Sequence, residues 1–463
     1  MVFSSTVFLF VFLPAVCAFY FLTPRRLRGV RNGVLLVFSL AFYFYGEGAR
    51  IWVLLLSIFL NYVLALLIAR GRWKKGLLFL AVAANLCILA ACKYLGFLTE
   101  TCNSLLGTGW KVPEIVMPLG ISFFTFQGLS YVVDVYRGAV PQRNPANVAL
   151  YISLFPQLIA GPIVRYESVA GDLTGRKETL EGAYAGLRRF VLGLAKKVLL
   201  ANTLGETAAA IFALPSQSVS TPMAWLGAVT YGFQIYYDFS GYSDMAIGLG
   251  SLFGFSFPEN FRHPYCAKSI TEFWRRWHIS LGSWFRDYVY IPLGGSRRGR
   301  KRQLLNLLIV WFLTGLWHGA SWNFVLWGLY FAALLILEKW FLLPILQKSR
   351  VLSHVYCLVL VAAGWILFAF TNLSAGSVFL KAMFVPTAAP VAPGYWTALL
   401  SNCKWELLLA AVCATPLLGR LFDRVRSCPA VQILCSLGIL ALLLLCTAYL
   451  VSMNFNPFLY FRF

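Results

Sequence analysis

The feature that most limits what this chain can become is a succession of apolar runs, each near the length a bilayer requires. A membrane-crossing helix needs about 20 mostly apolar residues. Runs of that order lie at 5–23, 33–47, 50–69, 76–92, 304–322, 323–343, 352–371, 405–419 and 431–452. Only 12% of the 463 residues are charged and 60% are hydrophobic, where a soluble domain carries roughly 25% charged residues. The stretch 115–255 is apolar too, but Gly, Pro and polar residues interrupt it. Short, tilted or re-entrant helices are expected there, shielded by protein or lining a water-filled cavity. The chain reads as an all-α integral membrane protein, with one domain over 1–455 and an aromatic tail over 456–463.

The net charge of +22 would suggest nucleic acid in a soluble chain. Here the basic residues gather at the ends of apolar runs, which points to membrane topology and anionic lipid instead. No basic, aromatic-studded soluble region is left over to hold a nucleic acid. Arg25, Arg26, Arg28 and Arg31 place the first loop in the cytoplasm, and the basic 70–75 segment "RGRWKK" places the third helix end there as well. The N-terminus is then expected outside, with a turn at "GEGAR". "GRLFDRVR" at 419–426 is expected inside, which leaves the C-terminus outside. The first apolar run lacks a basic segment before it, so a retained helix is expected rather than a cleaved signal. The eleven cysteines form no CxxC pair and fall mostly in apolar runs, as small packing residues do.

One nonapeptide stands out against this background. "EFWRRWHIS", 272–280, gathers an acid, two arginines, two tryptophans and a histidine. If 272–287 is helical, Glu272 and Arg276 form an i,i+4 pair in the favourable order, and Trp274, Arg275 and His278 share a face. Beyond the nonapeptide, the chain to residue 302 is aromatic and increasingly basic. A membrane-surface helix with snorkelling arginines is one reading of the patch. The wall of a site is the other.

A second histidine bears on the choice. His318 lies near the far end of the run "LLNLLIVWFLTGLWHGASWNF", where Trp311, Thr314, Gly315 and His318 would line one side of a helix. An ionisable group in such a run is costly and rare, which makes it a functional candidate. A packing histidine bonded to a neighbouring helix is the alternative. Gly315 and Gly319 are expected to leave space beside the ring. His263 and His354 sit near element boundaries without a polar constellation, so both read as structural. A second polar cluster, "FQIYYDFSGYSDMAIG", places Gln234, Tyr237, Asp238, Ser240, Ser243 and Asp244 in an apolar setting. Its acids are either buried and paired, with Arg165 a candidate partner, or line a wet cavity. No GxSxG, HExxH, phosphate-binding loop or dinucleotide fingerprint competes.

Five segments together strongly resemble the membrane-bound O-acyltransferase family: "SITEFWRRWHISLGSWFRDYVYIPLGG", "GLWHGASWNFVLWGL", "QIYYDFSGYSDMAIGLG", "SFFTFQGLSYVVDVYRG" and "LFPQLIAGPIVRY". The resemblance spans nearly the whole chain. It is closest in look to the bacterial branch that O-acetylates alginate or peptidoglycan, and is also similar to the membrane component of teichoic-acid D-alanylation. Within that branch's pattern, "WILFAF" lacks an arginine after the Phe, and Ser296 stands where Asn is common.

The resemblance implies a multi-pass helical disc in the bacterial cytoplasmic membrane. A cytoplasmic and an extracytoplasmic funnel would pierce it, within about 11–13 membrane segments including re-entrant ones. His318 matches the family's hallmark catalytic histidine, and His278 matches the upstream one. His318 is then expected as general base, and His278 as the group that orients the donor or polarises its carbonyl. Trp274, Arg275, Arg276, Arg286, Trp317, Tyr237, Asp238, Ser240 and Asp244 are expected to line the tunnel or hold the donor. No metal and no resident cofactor is expected. The donor is expected to be acetyl-CoA or an acyl carrier protein thioester. The expected partners are an extracytoplasmic acetyltransferase, membrane lipid and an envelope glycan as final acceptor. The tail "NFNPFLYFRF" is similar to an aromatic, tyrosine-bearing motif of small D-alanylation partner proteins. Tyr460 is therefore expected to carry the acyl group as an aryl ester, with an interfacial aromatic anchor as the alternative.

Overall fold

A computed structural model describes residues 2–386, 394–425 and 427–453. The described residues are helices and connections, with no strand among them. Five helical stretches among them are long and apolar enough to cross a membrane: Arg28–Ala69, Lys74–Leu106, Trp322–Leu346, Arg350–Ala369 and Pro429–Ser452. A sixth is added if the pair Tyr395–Cys413 and Leu417–Val425, bent by 66°, is one broken span. The first stretch has 42 residues. At about 1.5 Å per residue it is roughly twice as long as a bilayer core is thick. Gly48 resolves the excess. Its φ of 55° and ψ of −129° fit no α-helix, so the chain turns between Arg28–Glu47 and Ile51–Ala69, inside the "GEGAR" where a turn is expected.

The chain divides into two compact units, one of Met1–Phe190 with Tyr242–Pro258, the other of Val191–Gly241 with Glu259–Phe463. In the first unit, Ile121–Tyr136 is the central helix, with fourteen of its sixteen residues buried. Its buried residues include the polar Ser122, Thr125, Gln127, Ser130 and Asp134. Asn61 and Asn85 exchange amide hydrogen bonds of 3.0 and 2.9 Å beside it. Gly128 leaves them room, since a Cβ there would lie 2.4 Å from Asn61 Nδ2. The same unit holds a buried charge cluster. Glu178 accepts from Arg28 and from Tyr20, and Arg31 and Arg176 stand 3.3 and 3.7 Å from its oxygens. Other guanidinium donors reach the Thr23 carbonyl from Arg31 at 2.8 Å, and the Phe253 carbonyl and Asn32 Oδ1 from Arg176 at 3.0 and 2.7 Å. Burial alone would push the Glu178 carboxyl up. The hydrogen bonds from Arg28 and Tyr20 outweigh it and hold the group down at about 2.

In the second unit, Arg300–His318 and Trp322–Leu337 cross with their backbones touching. A Cβ on Gly315 would lie 2.3 Å from the Phe324 carbonyl oxygen, and one on Gly328 would lie 2.3 Å from that of Trp311. Small residues at a membrane helix crossing permit this approach.

One expectation for 115–255 is revised. Pro145–Ser153, Phe155–Leu158 and Tyr166–Gly175 are short, as expected, but Thr221–Leu252 is a continuous helix of 32 residues. Its glycines do not break it, because they take neighbouring backbone instead. A Cβ on Gly241 would meet the Gly193 carbonyl oxygen at 2.6 Å, and one on Gly248 that of Gly186 at 2.5 Å.

Candidate active site

The 272–287 stretch is not one helix. Ile270–Arg276 forms a first short helix and Ile279–Phe285 a second. The first has its amino end held twice. Ser269 caps it, accepting from Glu272 N at 3.0 Å. The buried carboxylate of Glu338 accepts from the backbone N–H groups of Ile270 and Thr271 and from the Thr271 hydroxyl. Helix N-termini favour such an anion. The helix stops after Arg276: Trp277 is extended, and His278 takes φ 46° and ψ 52°. A left-handed conformation costs a residue with a Cβ roughly 1–2 kcal/mol, and it persists where the surroundings over-determine it. Here Asn260 does so. Its backbone carbonyl accepts from Ile279 N at 3.0 Å. Its side-chain oxygen lies 3.1 Å from His278 Nδ1, 3.2 Å from Ser280 N and 2.9 Å from Ser280 Oγ.

The break corrects the expected shared face of Trp274, Arg275 and His278. Trp274 stays on the first helix and enters an aromatic cluster, with ring centroids 4.8 Å from Trp311, 4.9 Å from Phe331 and 5.5 Å from Trp327. His278 turns away to meet Phe239 at 4.6 Å and Trp317 at 5.7 Å.

His318 is the last residue of Arg300–His318, and Trp311, Thr314 and Gly315 are buried with it, as the helical spacing predicts. Its ring lies edge to face with Trp317 and Trp327, both at 5.0 Å, and with Phe368 at 5.3 Å. The glycines do not leave open space, contrary to expectation. Gly315 holds the helix crossing, and the Phe324 ring fills the place beside Gly319, 2.2 Å from where a Cβ would be. The two imidazoles therefore come to one ring, Trp317, and both are buried, 2% exposed for His278 and 4% for His318. They also interact electrostatically.

The other expected site residues separate into several groups. Arg276 is paired with Glu272 at 2.6 Å, as the i,i+4 spacing predicts. Arg286 is paired with its neighbour Asp287 at 2.6 Å, and Arg275 is exposed. Tyr237 is fully buried and donates to the Ala410 carbonyl, which ties it to the Tyr395–Cys413 helix rather than to a tunnel wall. Asp238 forms a buried ion pair with Lys197 at 2.7 Å, and Ser240 is buried two residues on. Asp244 belongs to the first unit and is paired with Arg189 at 2.8 Å. The two acids are thus paired with separate cations. His263 and His354 each meet a backbone carbonyl, Ala414 at 3.2 Å and Ala267 at 3.1 Å. Tyr460 lies outside the described residues.

Sequence reasoning missed Asn260, Glu338, Lys197 and Trp327. Asn260 reads as a turn residue in "PENFRHPY", and its partner is eighteen residues away. Glu338 carried a signal that could have been used, since it is an acid at the end of a membrane-length apolar run.

A polytopic helical membrane protein with two buried imidazoles against one indole is the class that fold and site define. The chain matches the membrane-bound O-acyltransferase family over residues 133–379. It is 40% identical to the "Probable alginate O-acetylase AlgI" of Azotobacter vinelandii over 429 residues, covering 90% of this chain and 83% of that one. It is 32% identical to the "Peptidoglycan O-acetyltransferase" of Helicobacter pylori over 425 residues, covering 83% and 80%. To the "Teichoic acid D-alanyltransferase" of Bacillus subtilis it is 30% identical over 244 residues, covering 49% and 61%. The protein belongs to the membrane-bound O-acyltransferase family.

Proposed function

We propose that the protein moves an acyl group, in the first instance acetyl, from a cytoplasmic thioester toward O-acylation of an exported or cell-envelope polysaccharide. The observation that carries this reading is the meeting of His278 and His318 at Trp317, inside an aromatic wall. Its support in substrate class comes from the names of the relatives, which act on alginate and peptidoglycan.

Acyl transfer from a thioester to a hydroxyl needs a base, a polarised carbonyl and exclusion of water. His318 is the proposed general base; a placed base typically contributes 10²–10⁴-fold. The hydroxyl gives its proton to the imidazole, its oxygen attacks the thioester carbonyl carbon, and the C–S bond breaks. The departing sulfur then takes the proton back, so charge and atoms balance. Trp317, Trp327 and Phe368 pack against His318, which is 4% exposed, and burial of this kind strengthens electrostatic contacts. The donor is acetyl-CoA or an acyl carrier protein thioester. Arg275, which is exposed, is proposed to meet its phosphates, whereas Arg276 and Arg286 are paired with Glu272 and Asp287. The hydroxyl is proposed to be that of Tyr460, whose aryl ester an extracytoplasmic acetyltransferase would then discharge onto the glycan.

The test is mass spectrometry of purified protein after incubation with labelled acetyl-CoA or acetylated carrier protein. Label on the C-terminal peptide is expected, absent in His318→Ala and in Tyr460→Phe. Labelled product with an unlabelled tail would replace the relay with direct transfer. Undiminished flux of an acyl species in a folded His318→Ala protein would replace the enzyme with a transporter.

A further inference from the structure

The hydrogen bonds around Asn260 fix more than the position of His278. The Ser280 backbone N–H, 3.2 Å from Asn260 Oδ1, can only donate. The amide atom it meets must be the oxygen, which removes the usual ambiguity between the two ends of an asparagine amide. That oxygen has no proton to give, and His278 Nδ1 lies 3.1 Å from it. A bare Nδ1 would set two lone pairs against each other. Nδ1 therefore carries the proton, and in a neutral imidazole Nε2 is then the acceptor.

We infer that Asn260 is a positioning residue that locks His278 in the Nδ1–H form, so that His278 presents an Nε2 lone pair to the acyl-transfer site. What the lone pair does rests on the acyl-transfer reading above; the tautomer itself rests on the hydrogen bonds alone. A neutral His278 in this form cannot donate to a thioester carbonyl, so the polarising role expected for it passes to another group. His278 instead accepts, taking a hydrogen bond from His318, which stays the base. Its ring neighbours include the aromatic Phe239 and Trp317. Ser280 Oγ lies 3.5 Å from Nδ1, and His318 is the titratable group that acts on the ring electrostatically.

Two measurements test the inference, one without turnover. The chain has four histidines, so selective ¹⁵N labelling gives few signals, and His278→Gln identifies the one of interest. A protonated Nδ1 and a bare Nε2 are expected at neutral pH. A protonated Nε2 on His278 overturns the inference, whether or not the protein transfers acyl groups, so the two readings fail separately. The second measurement is a pH–rate profile. Asn260→Asp keeps an oxygen against Nδ1 and adds a charge that favours the imidazolium. His278 must be neutral to accept, so the acidic limb should move to higher pH by about one unit or more, with donor KM unchanged. Asn260→Leu should lower kcat by about 10²-fold or more with little change in KM. An Asp variant whose profile superimposes on that of the natural protein, or a Leu variant with undiminished kcat, contradicts the inference.

Discussion

Two buried polar centres, one in each unit, are built on opposite principles. Around Glu178, charge answers charge: one carboxylate is surrounded by Arg28, Arg31 and Arg176, and further guanidinium donors reach the Thr23 and Phe253 carbonyls. Around His278 and His318, rings and an amide do the holding, and the imidazoles are set against Trp317, Trp327, Phe368 and Phe239. The first arrangement fixes structure, because a buried charge without its partner is strongly unfavourable. The second buries two imidazoles against rings and holds one of them by the Asn260 amide oxygen. On the function proposed above, the first is a clamp and the second a site: residues of the clamp should govern folding, and residues of the site should govern turnover.

The sharpest break of that comparison is Glu178→Gln. It leaves three guanidiniums near one neutral amide, and removing one partner of a buried pair typically costs about 3–5 kcal/mol. Folded yield in membranes and melting temperature in detergent should fall steeply, while turnover per folded molecule stays near that of the natural protein. Gly315→Ala comes next. Its methyl would meet the Phe324 carbonyl at 2.3 Å, and overpacking of this kind costs typically about 1–3 kcal/mol. Because the same crossing carries His318, turnover should fall along with the melting temperature, which a clamp residue would not do.

The pH dependence of stability sharpens the clamp further. Glu178 is held at about 2, below an ordinary carboxyl at 4.5. A depressed carboxyl stabilises the fold fully above the unfolded value, and that contribution fades as pH falls through the folded one. Melting temperature should therefore lose the Glu178 contribution between about pH 4.5 and 2, and Glu178→Gln should remove that part of the acid dependence. The smallest effect is expected at Glu272→Ala. Its pair with Arg276 is about one-third exposed on both sides, and such pairs contribute roughly 0–1 kcal/mol. A large loss there would mean that the pair holds the break at His278, not merely the surface of the short helix.

The sequence made the membrane-spanning helices legible, because a bilayer imposes length and apolarity that a single chain displays. It also made His278, His318 and the Glu272–Arg276 pair legible, since rarity and i,i+4 spacing are local properties. What it concealed is non-local. The break at Trp277–His278 interrupts a segment whose spacing suits a helix, and a left-handed histidine leaves no compositional trace. Asn260, Lys197 and Glu338 gain their meaning from partners far along the chain. The glycines misled for the same reason. Gly315 and Gly319 looked like room beside a ring, and Gly241 like a helix breaker, because the neighbour that occupies a missing side chain is invisible in one sequence.

Whether His278 and His318 act as a unit at Trp317 decides between a shared site and two separate histidines. A double-variant cycle on purified protein measures it, with turnover of labelled donor recorded for His278→Ala, His318→Ala and both together. Groups that act as a unit are grossly non-additive. Each single variant should lose about 10²-fold or more, and the double variant should be little worse than the poorer single one. Losses that multiply, or a folded His318→Ala protein with undiminished turnover, would contradict the shared site.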